Sequence, residues 1–519
     1  MAAYHSVAEV PGEPHTVRTE LVGDAVPEIG PHHRAIACFA HITDLHMTDV
    51  ESPARFEFIN REFADPRFRE LLPMQRSQEA LNAHAIDAMV STLNHISGGP
   101  VTGSPLELVA MTGDAVDNAQ GNELEAFIEL LEGGVVQPNS GGPEYEGVQA
   151  PSWPDDVSWK PDGAVSGEDV YRTAFGFPDA PGLLERALQP FRAAGLRLPW
   201  LGCHGNHEMV CQGVGIVTPA LADAMVRSRK PIRMPSGLDL DNVVETFVER
   251  PEAFMAGPHV DVTADAARRP FALDEFVETH FRSGARPHGH GFSEQNRKDG
   301  TAYYVHDTPT LRFITLDTAC PGGGAEGCID ADQLHWLERR LEEVHSSFLS
   351  RHGTNVPTSR KDRLVVILSH HGFDTLTNSR AHPNASRSTH VDRGDLLETL
   401  LRFGNVVLWL NGHIHANRVR AHPDPRREGG GFWEVTTASL VDWPCQGRIV
   451  EIVDPGEGLL AIACTMVDHE GSELAAQHRE LAGNAPQAGF AAGRAGTPLD
   501  RNVVLPLRAP FPLATIHSR

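Results

Sequence analysis

Five short apolar runs punctuate the chain: AIACFAHIT at 35–43, LELVAMT at 106–112, LPWLGC at 198–203, LVVIL at 364–368 and VVLWL at 406–410. Runs of this length, rich in Val, Ile and Leu, suit strands covered on both faces. Between them the apolar positions change to helical spacing. From Ser77 a segment carries Leu81, Ala85, Met89, Leu93 and Ile96 until Gly98-Gly99 stops it. Asn122, with Glu125 three residues on, predicts a capped helix start ahead of Phe127, Ile128 and Leu131, ended by Gly133. Asp330 with Gln333 predicts another, carrying Leu334, Leu337, Leu341 and Val344. Strands alternating with helices imply an α/β layered fold.

Two stretches break that rhythm. Residues 135–180 are rich in Gly, Pro, Asp and Trp and read as loop. Residues 212–300 lie between two core segments and are too long for a simple connection. Both are expected to be insertions near the site, with a lid as one role. The expected organisation is a single domain over 34–470, an N-terminal extension over 1–33 and a C-terminal tail over 471–519. The chain after about residue 485 is low in bulky apolar residues and is expected to wrap the surface.

Composition narrows the class. No stretch approaches the roughly 20 apolar residues of a membrane span, and the first thirty residues lack the apolar core of an export signal. Seven Cys (38, 203, 211, 320, 328, 445 and 464) are scattered without CxxC spacing, which argues against a disulfide framework and a Cys zinc site. The expected location is a reducing cytoplasm. Net charge is −25, from 44 Lys and Arg against 69 Asp and Glu. Affinity for nucleic acid rests largely on cationic side chains neutralising phosphates, so a polymer partner is disfavoured. A small phosphate ester could still bind where metal ions make the site locally positive. Nothing in the sequence reports the oligomeric state.

The polar groups that follow the five runs carry the chemistry. They are Asp44-Leu45-His46, then Gly113-Asp114-Ala115-Val116-Asp117, Gly205-Asn206-His207-Glu208, His370-His371 and Gly412-His413-Ile414-His415. In an α/β sheet, ligands bind at the carboxyl ends of the strands, where the loops converge. Imidazole and carboxylate suit divalent first-row metals, and the absence of thiolates argues against a structural zinc cage. If 44–46 and 413–415 are extended, residues two apart point the same way, so Asp44/His46 and His413/His415 can each reach one site. Glycines beside Asp114, Asn206 and His413 permit tight turns. Each motif alone has an ordinary reading: a turn Asp at 114, or surface histidines at 413 and 415. Five of them in order, each behind a strand-like run, make a metal-site expectation.

The ordered set DLH, GDAVD, GNHE, SHH and GHIH, spanning residues 44–415, resembles the calcineurin-like metallophosphoesterase superfamily. That resemblance implies a four-layer αββα sandwich, with two mixed sheets between helices, a long insertion and a two-metal centre at the sheet edge. Carried over by motif position, one metal would take Asp44, His46, Asp114 and His415. The other would take Asp114, Asn206, His370 and His413, with Asp114 bridging. His207 matches the family's non-ligand histidine, which contacts the phosphoryl group or protonates the leaving oxygen. Asp117 and Glu208 fit carboxylates that orient the ligands. The implied cofactors are two ions of Mn, Fe or Zn, and the implied reaction is hydrolysis of a small phosphomonoester or phosphodiester by a metal-bridged hydroxide. A nucleotide or cyclic nucleotide is one candidate substrate.

Departures from subfamily patterns keep the substrate open. The fourth motif is HHGF, unlike the HHPP-like run of many cyclic-nucleotide phosphodiesterases. Asp117 stands where purple acid phosphatases carry a metal-binding Tyr. His204 and His371 are candidates for substrate neighbours or for packed core. His288 and His290 belong either to the site or to a solvated loop, and Arg418 either to a substrate phosphate or to a salt bridge. Trp433 and Trp443 are read as core on a strand returning to the second sheet. Two rival functions remain: a nuclease on the same metal core, and a non-catalytic scaffold that kept the fold.

Overall fold

The computed structural model describes residues 4–23, 28–165, 167–282, 284–381 and 389–517. The strands of its two main sheets are, in chain order, Thr16–Val17 (β1), Ala35–Ile42 (β2), Val109–Met111 (β3), Trp200–Leu201 (β4), Tyr304–Asp307 (β5), Leu311–Thr315 (β6) and Leu364–Leu368 (β7). There follow Val406–Asn411 (β8), Arg418–Pro423 (β9), Gly431–Thr436 (β10), Gln446–Val453 (β11), Leu459–Asp468 (β12) and Val503–Arg508 (β13). Five helices flank them: Asn82–His95 (α1), Gly121–Glu132 (α2), Ala331–Glu342 (α3), Arg393–Arg402 (α4) and Glu473–Asn484 (α5).

The first sheet runs β1-β13-β12-β11-β2-β3-β4 and the second β9-β10-β8-β7-β6-β5. Both are mixed. In the first, β2, β3 and β4 are parallel while β11 to β13 pair antiparallel. In the second, β6, β7, β8 and β10 are parallel, edged by antiparallel β5 and β9. All five expected strands are present as β2, β3, β4, β7 and β8.

Alternation along the strands sorts the core. In β2, Cys38, Ala40 and Ile42 pack with Ile86 and Met89 of α1 and Phe127 and Leu131 of α2. Ala37 and Phe39 face the other way, into a cluster shared with Phe313, Val366 and Leu408 of the second sheet. Val365 and Ile367 of β7 turn instead to Leu337 and Leu341 of α3 and Leu396 and Leu400 of α4. Helices therefore cover one face of each sheet, and the two remaining faces share a core. Phe39 and Phe313 meet edge to face at 5.2 Å between them, and burying a side chain of that size contributes about 1.5–3 kcal/mol. Among the described residues, no helix is long and apolar enough to cross a membrane.

Four sequence expectations need correction. Asn122 is not a cap: α2 begins at Gly121 after Gln120, and the Asn122 amide donates to Asp49 instead, at 2.7 Å. Asp330 does cap α3, accepting from the Gln333 N–H at 2.8 Å, but the Gln333 side chain reaches the backbone of Asp317 rather than closing a capping box. The chain after residue 485 does not simply wrap the surface. Its run VVLPLR forms β13, whose first five residues are buried between β1 and β12. The sheet thus extends past 34–470 at both ends. Residues 135–180 are not mere loop either, because Trp159, Tyr171 and Phe177 form an apolar cluster with Leu81 and Leu481. Within 212–300, Leu221, Met225, Phe247 and Phe254 build a separate cluster on Phe56 and Phe58.

Candidate metal centre

The carboxyl ends of β2, β3, β4, β7 and β8 bring together Asp44, His46, Asp114, Asn206, His370, His413 and His415. Backbone bonds lock the first two loops side by side: the Asp44 N–H donates to Gly113 O and the His46 N–H to Asp114 O, both at 3.0 Å. Across the sheets, Leu440 N–H donates to Asp44 O at 3.2 Å, and within the second sheet Gly412 N–H donates to His370 O at 3.0 Å.

The convergence does not come from extended segments. Asp44 (φ 52°), His46 (46°), Asp114 (50°), His413 (68°) and His415 (53°) all lie in the left-handed region, which non-glycine residues rarely enter. Two such turns in each of 44–46 and 413–415 swing both side chains inward. The neighbouring glycines also act differently from expectation. Gly113 does take a positive φ of 91°, but Gly205 and Gly412 are needed for space. A Cβ on Gly412 would lie 2.0 Å from Thr43 Oγ1 and 2.3 Å from Asp44 Oδ2, and one on Gly205 would lie 2.2 Å from Asp114 Oδ1.

Donor atoms crowd around two carboxylates. The His370 Nε2 is 3.0 Å from Asp114 Oδ2, the His46 Nε2 3.8 Å and the His207 Nε2 3.9 Å. The His415 Nε2 is 3.3 Å from Asp44 Oδ1 and 3.1 Å from His46 Nε2. Asp44, His46 and His415 form one group able to hold an ion; Asp44, Asp114 and His370 form a second, and His370, His371 and His413 a third. Two atoms stand out. Asn206 donates its Nδ2 to Gly213 O at 2.9 Å, which leaves Oδ1 buried without a partner. His370 is likewise buried, with its Nδ1 spent on Thr112 O at 2.8 Å, so its Nε2 is the nitrogen turned to Asp114. Buried acceptors without partners are expensive, and lone pairs left free beside carboxylates are what a cation requires.

The electrostatics agree. Burial would raise Asp44 and Asp114, yet both are held below the usual carboxylate range by imidazoles beside them: His415 and His370 at Asp44, His370 and His207 at Asp114. Burial opposes charge on His370, but Asp114 and Asp44 push it up to about 9. His415 is pushed up as well, against burial, by Asp44 and Asp442, so the carboxylates favour positive charge beside them. Burial, then His207, pushes His46 down to about 4.

Behind these groups lies a closed ring of ion pairs that no local motif announces. The His46 Nδ1 faces Asp117 Oδ1 at 3.3 Å, and Asp117 accepts from Arg55 at 2.6 Å. Arg55 pairs with Glu79 at 2.7 Å, Glu79 with Arg76 at 3.5 Å, and Arg76 with Asp442 at 2.8 Å. Asp442 returns to His415 Nδ1 at 2.7 Å and also pairs with Arg494. Holding the far nitrogen of each imidazole fixes which nitrogen faces the site. Asp117 thus holds the Nδ1 side of His46. Glu208 works through the backbone instead: it accepts N–H bonds from Asp114 (2.9 Å), Gly205 (2.6 Å), Ala115 (2.6 Å) and Val116 (3.1 Å). Arg55, Arg76, Glu79, Asp442 and Arg494 were not identifiable from sequence, since their partners lie up to hundreds of residues away. The only local trace is the Arg76/Glu79 spacing of three.

The remaining candidates sort clearly. His371 is buried with both nitrogens used, on Thr318 Oγ1 and Ala325 O at 2.9 Å each, so it packs. His204 is buried against Asp317 at 3.1 Å. His290 belongs neither to the site nor to solvent: it stacks on Trp200 at 3.6 Å and meets Glu132 at 3.1 Å, while His288 is exposed. Arg418 pairs with Asp374 at 3.2 Å on the surface. Trp433 is fully buried on β10; Trp443 is only half-buried, against Phe490.

No protein-family model and no curated protein matches the chain. Among solved structures it is similar to a dimetal phosphatase from Danio rerio, at 11% identity and a TM-score of 0.37, over 84% of this chain and 100% of that one. It is also similar to a purple acid phosphatase from yellow lupin (Lupinus luteus) seeds, at 10% identity and a TM-score of 0.31, over 86% of this chain and 54% of that one. Neither likeness is close enough to fix an activity.

Proposed function

We propose that the chain is a metal-dependent phosphoesterase of the calcineurin-like superfamily that hydrolyses small phosphate esters with two metal ions. One ion would be held by Asp44, His46, Asp114 and His415, the other by Asp114, Asn206, His370 and His413. The observation that carries this reading is the buried, unpartnered Oδ1 of Asn206, beside the shared carboxylate of Asp114 on which His370 Nε2 converges at 3.0 Å. The O and N donor set suits Mn, Fe or Zn. Bound ions would neutralise the phosphoryl oxygens and acidify a water.

This chain's own residues supply the rest. The Asp114 Oδ1 accepts the His207 N–H at 3.0 Å and so couples the third motif to the bridging carboxylate. The His207 Nδ1 donates to Asp117 O at 2.6 Å, which fixes the ring and leaves Nε2 facing the site. With 17% of its side chain exposed, His207 can take a proton from solvent and deliver it from Nε2 to the departing ester oxygen. The charge of −25 favours a small ester over a polyanion.

The test is metal content together with turnover of p-nitrophenyl phosphate and bis(p-nitrophenyl) phosphate in added Mn. Asn206→Ala and His370→Ala should each lose bound metal and activity; retention of both would remove the ligand assignment. His207→Ala should keep its metal and lose turnover. Absence of hydrolysis by the fully loaded parent would favour a scaffold over an enzyme, and cleavage of DNA in preference to either small ester would favour a nuclease.

A further inference from the structure

A second donor cluster lies outside this centre. Cys320 and Cys328, on the loop after β6, converge with His390 just before α4, and their sulfurs and one ring nitrogen all lie within 4.8 Å of one another. Both thiols are buried, and the His390 Nδ1 is buried with no hydrogen-bond partner. The backbone on both sides is held in place. Cys328 N–H donates to Thr318 O at 2.9 Å, Ala331 N–H to Thr389 O at 3.0 Å and Val391 N–H to Ile329 O at 2.9 Å.

We propose that Cys320, Cys328 and His390 form a third metal site, for a thiophilic divalent cation of the Zn class. Tetrahedral zinc binds sulfur at about 2.3 Å and imidazole at about 2.0–2.1 Å, which the observed spacing reaches with small side-chain shifts. Two thiolates balance a dication, and the two thiol protons leave to solvent on binding. A disulfide would use the sulfurs but leave the His390 nitrogen unpaired, so the imidazole favours a cation. A cavity of about 760 Å³ lies beside the cluster, lined by Cys328, His390, Asp317 and Asp330, and could admit a solvent ligand. The same loop holds His371 through Thr318 and Ala325, and the His371 ring lies 4.3 Å from that of His413. The third ion therefore braces the wall of the first centre.

Cobalt separates the two centres, because the other site contains no cysteine. Full-length protein loaded with Co²⁺ should show thiolate-to-metal charge transfer in the near ultraviolet. Cys320→Ser and Cys328→Ser should each abolish that band and lower metal content by one equivalent, while Co²⁺ at the Asp/His centre remains. Zn²⁺ should also protect both thiols of the parent from alkylation, a readout that needs no variant. A parent with no thiolate band and unprotected thiols overturns the proposal, as does a Cys320–Cys328 disulfide that on reduction takes up no additional ion. Failure of the phosphoesterase reading would leave these readouts untouched.

Discussion

Glu208 offers a sharp test of how the centre is held. Its two oxygens accept four backbone N–H groups: Oε2 takes those of Asp114 and Gly205, and Oε1 those of Ala115 and Val116. The side chain is 2% exposed, so water is not at hand to replace it. Glu208→Gln preserves shape but turns one acceptor oxygen into an NH₂ group, which must then face two N–H donors. Each buried donor left unsatisfied costs about 1–3 kcal/mol, so the substitution should destabilise the chain by about 2–6 kcal/mol. That is a large part of the roughly 5–15 kcal/mol by which a domain is usually stable.

The effect should reach the metals as well, because the affected loop carries Asp114. Urea unfolding in the presence of a chelator measures the first effect without a contribution from metal binding, and titration with Mn measures the second. A Glu208→Gln protein whose unfolding free energy stayed within about 0.5 kcal/mol of the parent, the range of neutral surface changes, would show that this carboxylate does not hold the loop. Glu208→Ala should be worse than Glu208→Gln, since all four donors then lose their acceptor.

Other perturbations probe the same frame. Gly412→Ala should leave the backbone unstrained but push the Asp44 carboxylate aside, so metal content and turnover fall while the far-ultraviolet circular dichroism stays native; an active, fully loaded variant would contradict the space argument. Asp442→Asn strips the shared partner from Arg76, Arg494 and His415, and breaking a buried pair of this kind costs about 3–5 kcal/mol. Metal affinity should fall by about 10–100-fold as well, and an unchanged melting temperature together with unchanged affinity would count against the ring. Stability should also depend on acid. Burial pushes His280 and His478 down to about 3 and His345 to about 4, from an ordinary value of 6.5. Below pH 6.5 the unfolded chain binds protons that these residues refuse when folded, so their stabilisation is intact above pH 6.5 and is lost as pH falls toward 4. Each contributes a slope of up to about 1.4 kcal/mol per pH unit. In chelator, His345→Gln should flatten the profile by about one proton, and a parent profile flat between pH 6.5 and 4.5 would be incompatible with neutral buried histidines.

The parts of this molecule that sequence announces are those whose cause is local. β2, β7 and β8 are continuous apolar runs because both of their faces are covered, and the polar groups that end them stand out by contrast. β9, with the sequence RVRAHP, lies at a sheet edge and carries arginines, while β13 is a short run interrupted by Pro506 and preceded by a Gly- and Pro-rich stretch. Neither has the pattern of a buried strand, although β13 is one. Asp44, Asp114 and Asp117 stood out as candidates because each lies in a short polar motif behind an apolar run. Asp442 did not, because it is recognisable only by its partners Arg76, His415 and Arg494, and those are set by tertiary packing.

The least legible feature is also the one that says most about how the centre forms. Five of the proposed ligand residues hold a positive φ, and a non-glycine residue held there costs on the order of 1–3 kcal/mol. Across Asp44, His46, Asp114, His413 and His415 that amounts to roughly 5–15 kcal/mol, as large as the net stability of a typical domain. Contacts within the chain hold these conformations. Asp44 and His46 are tied to Gly113 and Asp114 through their backbones, Asp114 to Glu208, and His413 N–H to both oxygens of Asp44 at 3.1 Å. The two ring carboxylates, Asp117 and Asp442, then orient His46 and His415. Contacts within the scaffold therefore offset the strain, and the proposed ions would add to them by satisfying the free acceptor of Asn206. A centre built this way should bind its metals with little change in backbone structure, and loosening Glu208 or Asp442 should weaken it more than exchanging one divalent ion for another.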